Sequence, residues 1–148
     1  MNSAEVIRLI EDAWREVPYP GDDKIFTPDS YDDEDIVNYF GGTTWRGHDP
    51  ADLRAHSSAF AFFTPEAFHY WMPAFMIAAI QHPEEADVVC DRIPDSLSGP
   101  HASERWPLFS APQRRAVAAY LRFQIETFSD GIDADAERRA LGILEEGI

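Results

Sequence analysis

A chain of 148 residues with 45% hydrophobic content fits one globular domain, long enough to bury a core without disulfide or metal staples. Its net charge of −15 repels nucleic-acid phosphates and anionic membrane surfaces, and favours encounter with basic partners. The lone cysteine, Cys90, excludes an intrachain disulfide and suits a reducing compartment, so a cytoplasmic location is expected.

The start of the chain, M-N-S-A-E-V-I-R-L-I-E-D, has neither a basic n-region nor an unbroken apolar run, so it is not read as a signal peptide. It reads instead as a first helix, Ala4 to about Val17, with Ser3 as N-cap and Val6, Ile10, Ala13, Trp14 and Val17 on one stripe. Pro18, Pro20 and Gly21 stop it. A loop follows, with a short extended piece at Lys24–Thr27 that leaves room for a minor β-hairpin.

Asp29 or Ser30 can cap a second helix through Asp32–Phe40. Its first turn carries Asp32, Asp33, Glu34 and Asp35, the sign that the helix dipole favours at an N-terminus. Ile36, Tyr39 and Phe40 supply the inward edge, and Gly41–Gly42 end it. Asp49-Pro50 is a further start, a capping residue followed by proline in the first helical position. The stripe Leu53, His56, Phe60 continues from it, and the pattern does not decide whether the helix survives Ser57–Ser58.

The most apolar stretch is Phe60–Ile80. Thr64 caps, Pro65 takes the first helical position and Glu66 lies in the positive first turn, with Phe63 and Phe68 spaced as a hydrophobic staple. From Ala67 to Ile80 only His69 ionises near neutral pH, and a helix apolar all round is buried in protein or lipid. Thr64–Gln81 is shorter than the roughly 20 residues of a membrane span, contains His69 and Pro73, and is flanked by Glu84–Glu85 rather than basic anchors. A buried core helix is the expectation, and no membrane partner is expected. Pro73 removes the bond to the carbonyl of residue 69 and costs about 3 kcal/mol or more. The expected result is a kink, with that carbonyl held by water or a side chain.

His82-Pro83 ends the central helix. Ala86–Arg92 is read as extended, Pro94–Pro100 as turn-rich and His101–Pro107 as loop. Ser110 and Gln113 form a capping box for a helix to about Ser129 with Val117, Leu121, Gln124 or Ile125, and Phe128 in register. Asp133 caps a last helix whose inner face is Ala136, Ala140, Leu141 and Leu144. The fold class is therefore mainly α: a single-domain helical bundle around a buried, proline-kinked central helix at about 64–81.

Catalytic signatures are weak throughout. His48, Asp49, Asp52 and His56 contain one pair, Asp52 and His56, at i, i+4 on one helical face. But zinc needs three or four converging ligands, Asp49 and Asp52 serve equally as cap and first-turn acids, and no metal or cofactor is called for. The acids of Asp130–Glu137 lack the glycine and glutamate of a calcium loop. Cys90 lies in an apolar and acidic context that raises a thiol pKa. A nucleophile elbow and a phosphate loop are both missing from the sequence.

The stretches Y-D-D-E-D-I (31–36) and L-R-A-H-S-S-A-F-A-F-F-T-P-E-A-F-H-Y-W-M-P-A-F (53–75), with the F-S-x-x-Q start near Gln113, resemble a family of small, mostly bacterial proteins classed as a domain of unknown function. The resemblance covers most of the chain, and F-F-T-P-E-A-F…P-A-F is its most specific part. It implies a single soluble domain with the central helix as a family feature. It implies no activity and carries over no functional residues.

Two functions follow from the residues. The first is an acidic interaction module, immunity-like or regulatory, that engages a basic protein through Tyr31, Asp32, Asp33, Glu34 and Asp35. Its motive is the charge of −8 in residues 1–50, against −5 in 51–100 and −2 in 101–148, with Tyr39 and Trp45 as further anchors. Against it stands the simpler reading that the charge serves solubility. The second is a small-molecule binder or enzyme with a pocket at the Pro73 kink, using His56, His69 and Tyr70.

Overall fold

The computed structural model describes residues 1–26, 36–127 and 134–147. Asn2 caps α1 (Ser3–Trp14) by accepting the Glu5 N–H at 2.9 Å. The cap thus sits one residue before the expected Ser3, and the helix stops three residues before Val17, as the chain turns toward Pro18. Val6, Ile10 and Trp14 are fully buried, as their spacing requires.

Asp22–Lys24 is a single 3-10 turn. The extended piece expected beyond it reduces to one antiparallel bridge, Phe26 to Phe63, reinforced by the Thr64 N–H donating to the Ile25 carbonyl at 3.2 Å. Among the described residues there is no hairpin. The pair forms because Thr64 must leave helical geometry to cap, which brings the backbone of residues 63–64 alongside that of 25–26. Tyr31–Asp35, the caps Asp29 and Ser30, Phe128–Asp133 and the Asp133 cap lie outside the described residues. The second helix is described as α2 (Ile36–Phe40).

Asp49 accepts the Ala51 N–H at 2.8 Å and opens α3 (Pro50–Ala55). The helix does not survive the serines: His56 closes it, and α4 (Ala59–Phe62) is a separate turn. Then comes α5 (Pro65–Gln81), with Thr64 accepting the Ala67 N–H at 3.1 Å. Ten of its residues between Ala67 and Ala79 are at most 6% exposed, which is the environment an all-round apolar helix demands. No helix among the described residues is long and apolar enough to cross a membrane.

Two expectations fail beyond His82. After the short α6 (Pro83–Ala86) the supposed strand and turns form α7 (Val88–Ser98), with Pro94 inside it. Val89, Ile93 and Leu97 recur every fourth residue and are fully buried, so burial of that stripe outweighs the β-branched pair at its start and the proline within it. Asp87 joins the two helices at φ +48°. The supposed loop 101–107 forms α8 (Ala102–Arg105) and a 3-10 turn at Trp106–Leu108. This segment closes helix ends: Arg105 donates to the carbonyls of Ser96 and Phe60, each at 2.7 Å, and Trp106 donates to that of Leu97 at 3.2 Å.

The Ser110–Gln113 box forms as expected, opening α9 (Ala111–Thr127). The last helix is α10 (Asp135–Gly147), with Ala140 and Leu144 buried. α9 packs on α1 and α10, α10 also on α7, and α5 runs against α1 and α7. One apolar cluster extends from Val6 to Leu144. The chain is a mainly α bundle built round α5.

Candidate functional site

Pro73 carries no N–H, so the His69 carbonyl one turn earlier loses its helical partner. The Trp14 indole supplies a replacement, donating to that carbonyl at 2.9 Å from α1. A side chain on another helix thus fills the gap at the kink. The His69 ring lies beside Trp14 and Phe109, with centroids 5.9 and 5.0 Å away. Its Nε2 donates to Gln113 Oε1 at 2.7 Å, an oxygen that also accepts the Ser110 N–H at 2.8 Å. Gln113 Nε2 in turn donates to the Ala13 carbonyl at 3.2 Å. One glutamine thereby ties together α1, α5 and the start of α9. Burial lowers the His69 pKa, against the opposing pull of Gln113, so the ring is neutral near pH 7. Nδ1 has no hydrogen-bond partner among the described residues.

Tyr70 and Pro73 are buried in the core rather than on a cavity wall. The Tyr70 phenol is raised by burial, partly offset by a backbone hydrogen bond from Trp45 and by the Arg46 charge. An open crevice of about 500 Å³ lies between the end of α1 and His69–Gln113, with neither Pro73 nor Tyr70 in its lining.

His56 belongs to a different group. It stacks on Tyr39 at 4.2 Å with 12° between planes, and its Nδ1 donates to the Asp52 carbonyl at 2.8 Å. The i, i+4 pair seen in the sequence is therefore a bond to the end of α3. Among the described residues, no group of three or more His, Cys, Asp or Glu is placed to hold a metal. Tyr39 donates to His48 Nδ1 at 2.8 Å while His48 Nε2 donates to the Thr44 carbonyl at 2.7 Å. The carbonyl acceptor fixes that tautomer. Burial, then the charges of Asp52 and Asp49, push the Tyr39 phenol up to about 12. Burial also lowers the His48 pKa, against the Thr44 carbonyl and Asp52. Tyr39 keeps its proton and His48 stays neutral, so the pair is a hydrogen-bonded relay with no phenolate available. Its rings make no direct contact with His69 among the described ring contacts, and lead to it only through Phe40, Phe75, Phe60, Phe68 and Phe109. In the sequence His48 is weighed only as a metal ligand beside Asp49, Asp52 and His56; its pairing with Tyr39 depends on the chain folding back from Thr44.

Cys90 is half-buried, with its thiol pushed up to about 11 by burial and then by Asp91. It is a poor nucleophile at neutral pH.

The carboxylates form the most extended feature. Asp91 and Asp95 of α7 lie opposite its buried Val89–Ile93–Leu97 stripe, Asp87 stands just before its first residue, and all three are exposed. Exposed Glu84 and Glu85 lie on α6, and exposed Asp49 and Asp52 open α3, which packs on α6. Seven carboxylates on three neighbouring elements thus face two guanidinium groups, Arg54 and Arg92. Arg54 pairs with Asp87 at 3.1 Å, both about half exposed. This face was missed because α7 was read as strand and turn.

The chain matches the family of unknown function DUF6714 over residues 2–139 and belongs to it. No curated protein and no solved structure is significantly similar to this chain.

Proposed function

We propose that the protein is an acidic interaction module, immunity-like or regulatory in kind, that engages a basic protein partner. The observation that carries this reading is the exposed carboxylate face of α3, α6 and α7. It adds to the acid run Asp32, Asp33, Glu34 and Asp35, flanked by Tyr31, in a chain of net charge −15. Such a field steers a cationic surface into register and raises its association rate, and it repels phosphate-rich partners. The reducing cytoplasm is the compartment in which we place it. Reversing Glu84, Asp91 and Asp95 to lysine, and separately Asp32–Asp35, tests the reading. Loss of a salt-sensitive basic partner in either variant supports it. Retention in both overturns it.

The crevice between the end of α1 and His69 supports a second reading, a small-molecule site with the free His69 Nδ1 as acceptor. His56, Tyr70 and Pro73 do not line it. A metabolite panel that leaves the His69 imidazole resonances unmoved would remove this reading.

A further inference from the structure

A second concavity borders the carboxylate face, with Pro50 of α3 and His82 before α6 in its lining, but none of the seven carboxylates lines it. Its floor is α5, where Ala74 and Ala78 are small enough to leave room beside Ile77. One wall is Ile7 and Glu11 of α1, and the other is Trp45 and Arg46 after α2. Its volume, about 290 Å³, lies just below the roughly 300–1,000 Å³ usual for ligand sites, which suits a molecule of amino-acid size.

The charges on its rim are opposite and separate. The Arg46 guanidinium rests 4.0 Å over the Trp45 ring, which restrains it. Among the described residues, neither Arg46 nor Glu11 makes an ion pair, with each other or with anything else. His48 contributes only its ring, since both of its nitrogens are engaged. Gln81 and His82 complete the mouth.

We infer that this cleft binds a free apolar α-amino acid, its carboxylate on Arg46, its ammonium on Glu11 and its side chain over Ala74, Ile77 and Ala78. Two unpaired opposite charges above an apolar floor complement a small zwitterion better than they complement a simple acid or amine. The inference is independent of the basic-partner reading, because it uses none of that face's residues.

The test is a titration of 15N-labelled protein with leucine, N-acetyl-leucine and leucinamide, following the backbone amides of Gly47 and Ala78. Leucine should shift both saturably, with N-acetyl-leucine and leucinamide each at least about tenfold weaker. Glu11→Gln should weaken leucine but leave N-acetyl-leucine unchanged. Arg46→Gln should weaken leucine but leave leucinamide unchanged. Both side chains are exposed, so neither substitution threatens the fold. The inference is overturned if no probe shifts Gly47 and Ala78, if the blocked probes bind as well as leucine, or if both variants bind leucine normally.

Discussion

At the scale of single residues, the kink joins sequence to packing through one hydrogen bond. Pro73 leaves the His69 carbonyl without a backbone donor, and Trp14 donates to it from α1 at 2.9 Å. Trp14→Phe keeps most of the ring but orphans that carbonyl, which should cost about 1–3 kcal/mol. In a Pro73→Ala background the restored N–H of residue 73 can serve the carbonyl, so the same change should cost less. A urea double-mutant cycle measures the difference, and strictly additive costs would refute the link. His69 itself gives a pH prediction. Burial holds its pKa below the ordinary 6.5, so as pH falls the unfolded chain takes up the proton first. The stability tied to neutral His69 is complete above about pH 6.5, and is lost as pH falls through that value toward the folded one. The urea midpoint of the wild type should therefore drop more steeply between about pH 7.5 and 5 than that of His69→Gln.

At the scale of elements, α7 is where pattern and structure part. Val88 is 37% exposed while Val89 is fully buried. Val88→Lys should accordingly change stability by no more than about 0.5 kcal/mol, whereas Val89→Ala should cost about 1–3 kcal/mol. A strand alternating at positions 88, 90 and 92 would reverse that order, and thermal midpoints of the two variants decide it. The starts at Asp49, Thr64 and Ser110 were legible because each cap is a contact within two or three residues. The central helix was legible because every face of it is apolar. α7 was not, since its β-branched start and Pro94 argue locally against a helix and only burial on α5 and α10 decides for one. Arg105 is the same lesson at one residue. Its position in sequence says nothing of the helix ends at Ser96 and Phe60 that it satisfies from 9 and 45 residues away. The candidate site was half legible: the freed His69 carbonyl was foreseen, but His56 joined Tyr39 instead. The cleft at Arg46 was invisible because three separate segments build it.

At the scale of the whole molecule, a charge of −15 on 148 residues repels itself in the compact state. Raising ionic strength from 0.01 to 1 M shortens the Debye length from about 30 to about 3 Å, so sodium chloride should raise the thermal midpoint. A midpoint unmoved by salt would mean that local pairs such as Arg54–Asp87 already balance the field. Held apart by that repulsion, the carboxylates are also what a cationic partner would neutralise. The most direct test of the proposed function is capture from a lysate of the source organism, by wild type and by the Glu84→Lys, Asp91→Lys, Asp95→Lys variant, at low and at high salt. Wild type should retain a basic protein that high salt releases and the variant fails to hold. Retention of that protein by the variant and by the Asp32–Asp35 reversal alike, or at high salt undiminished, would contradict it.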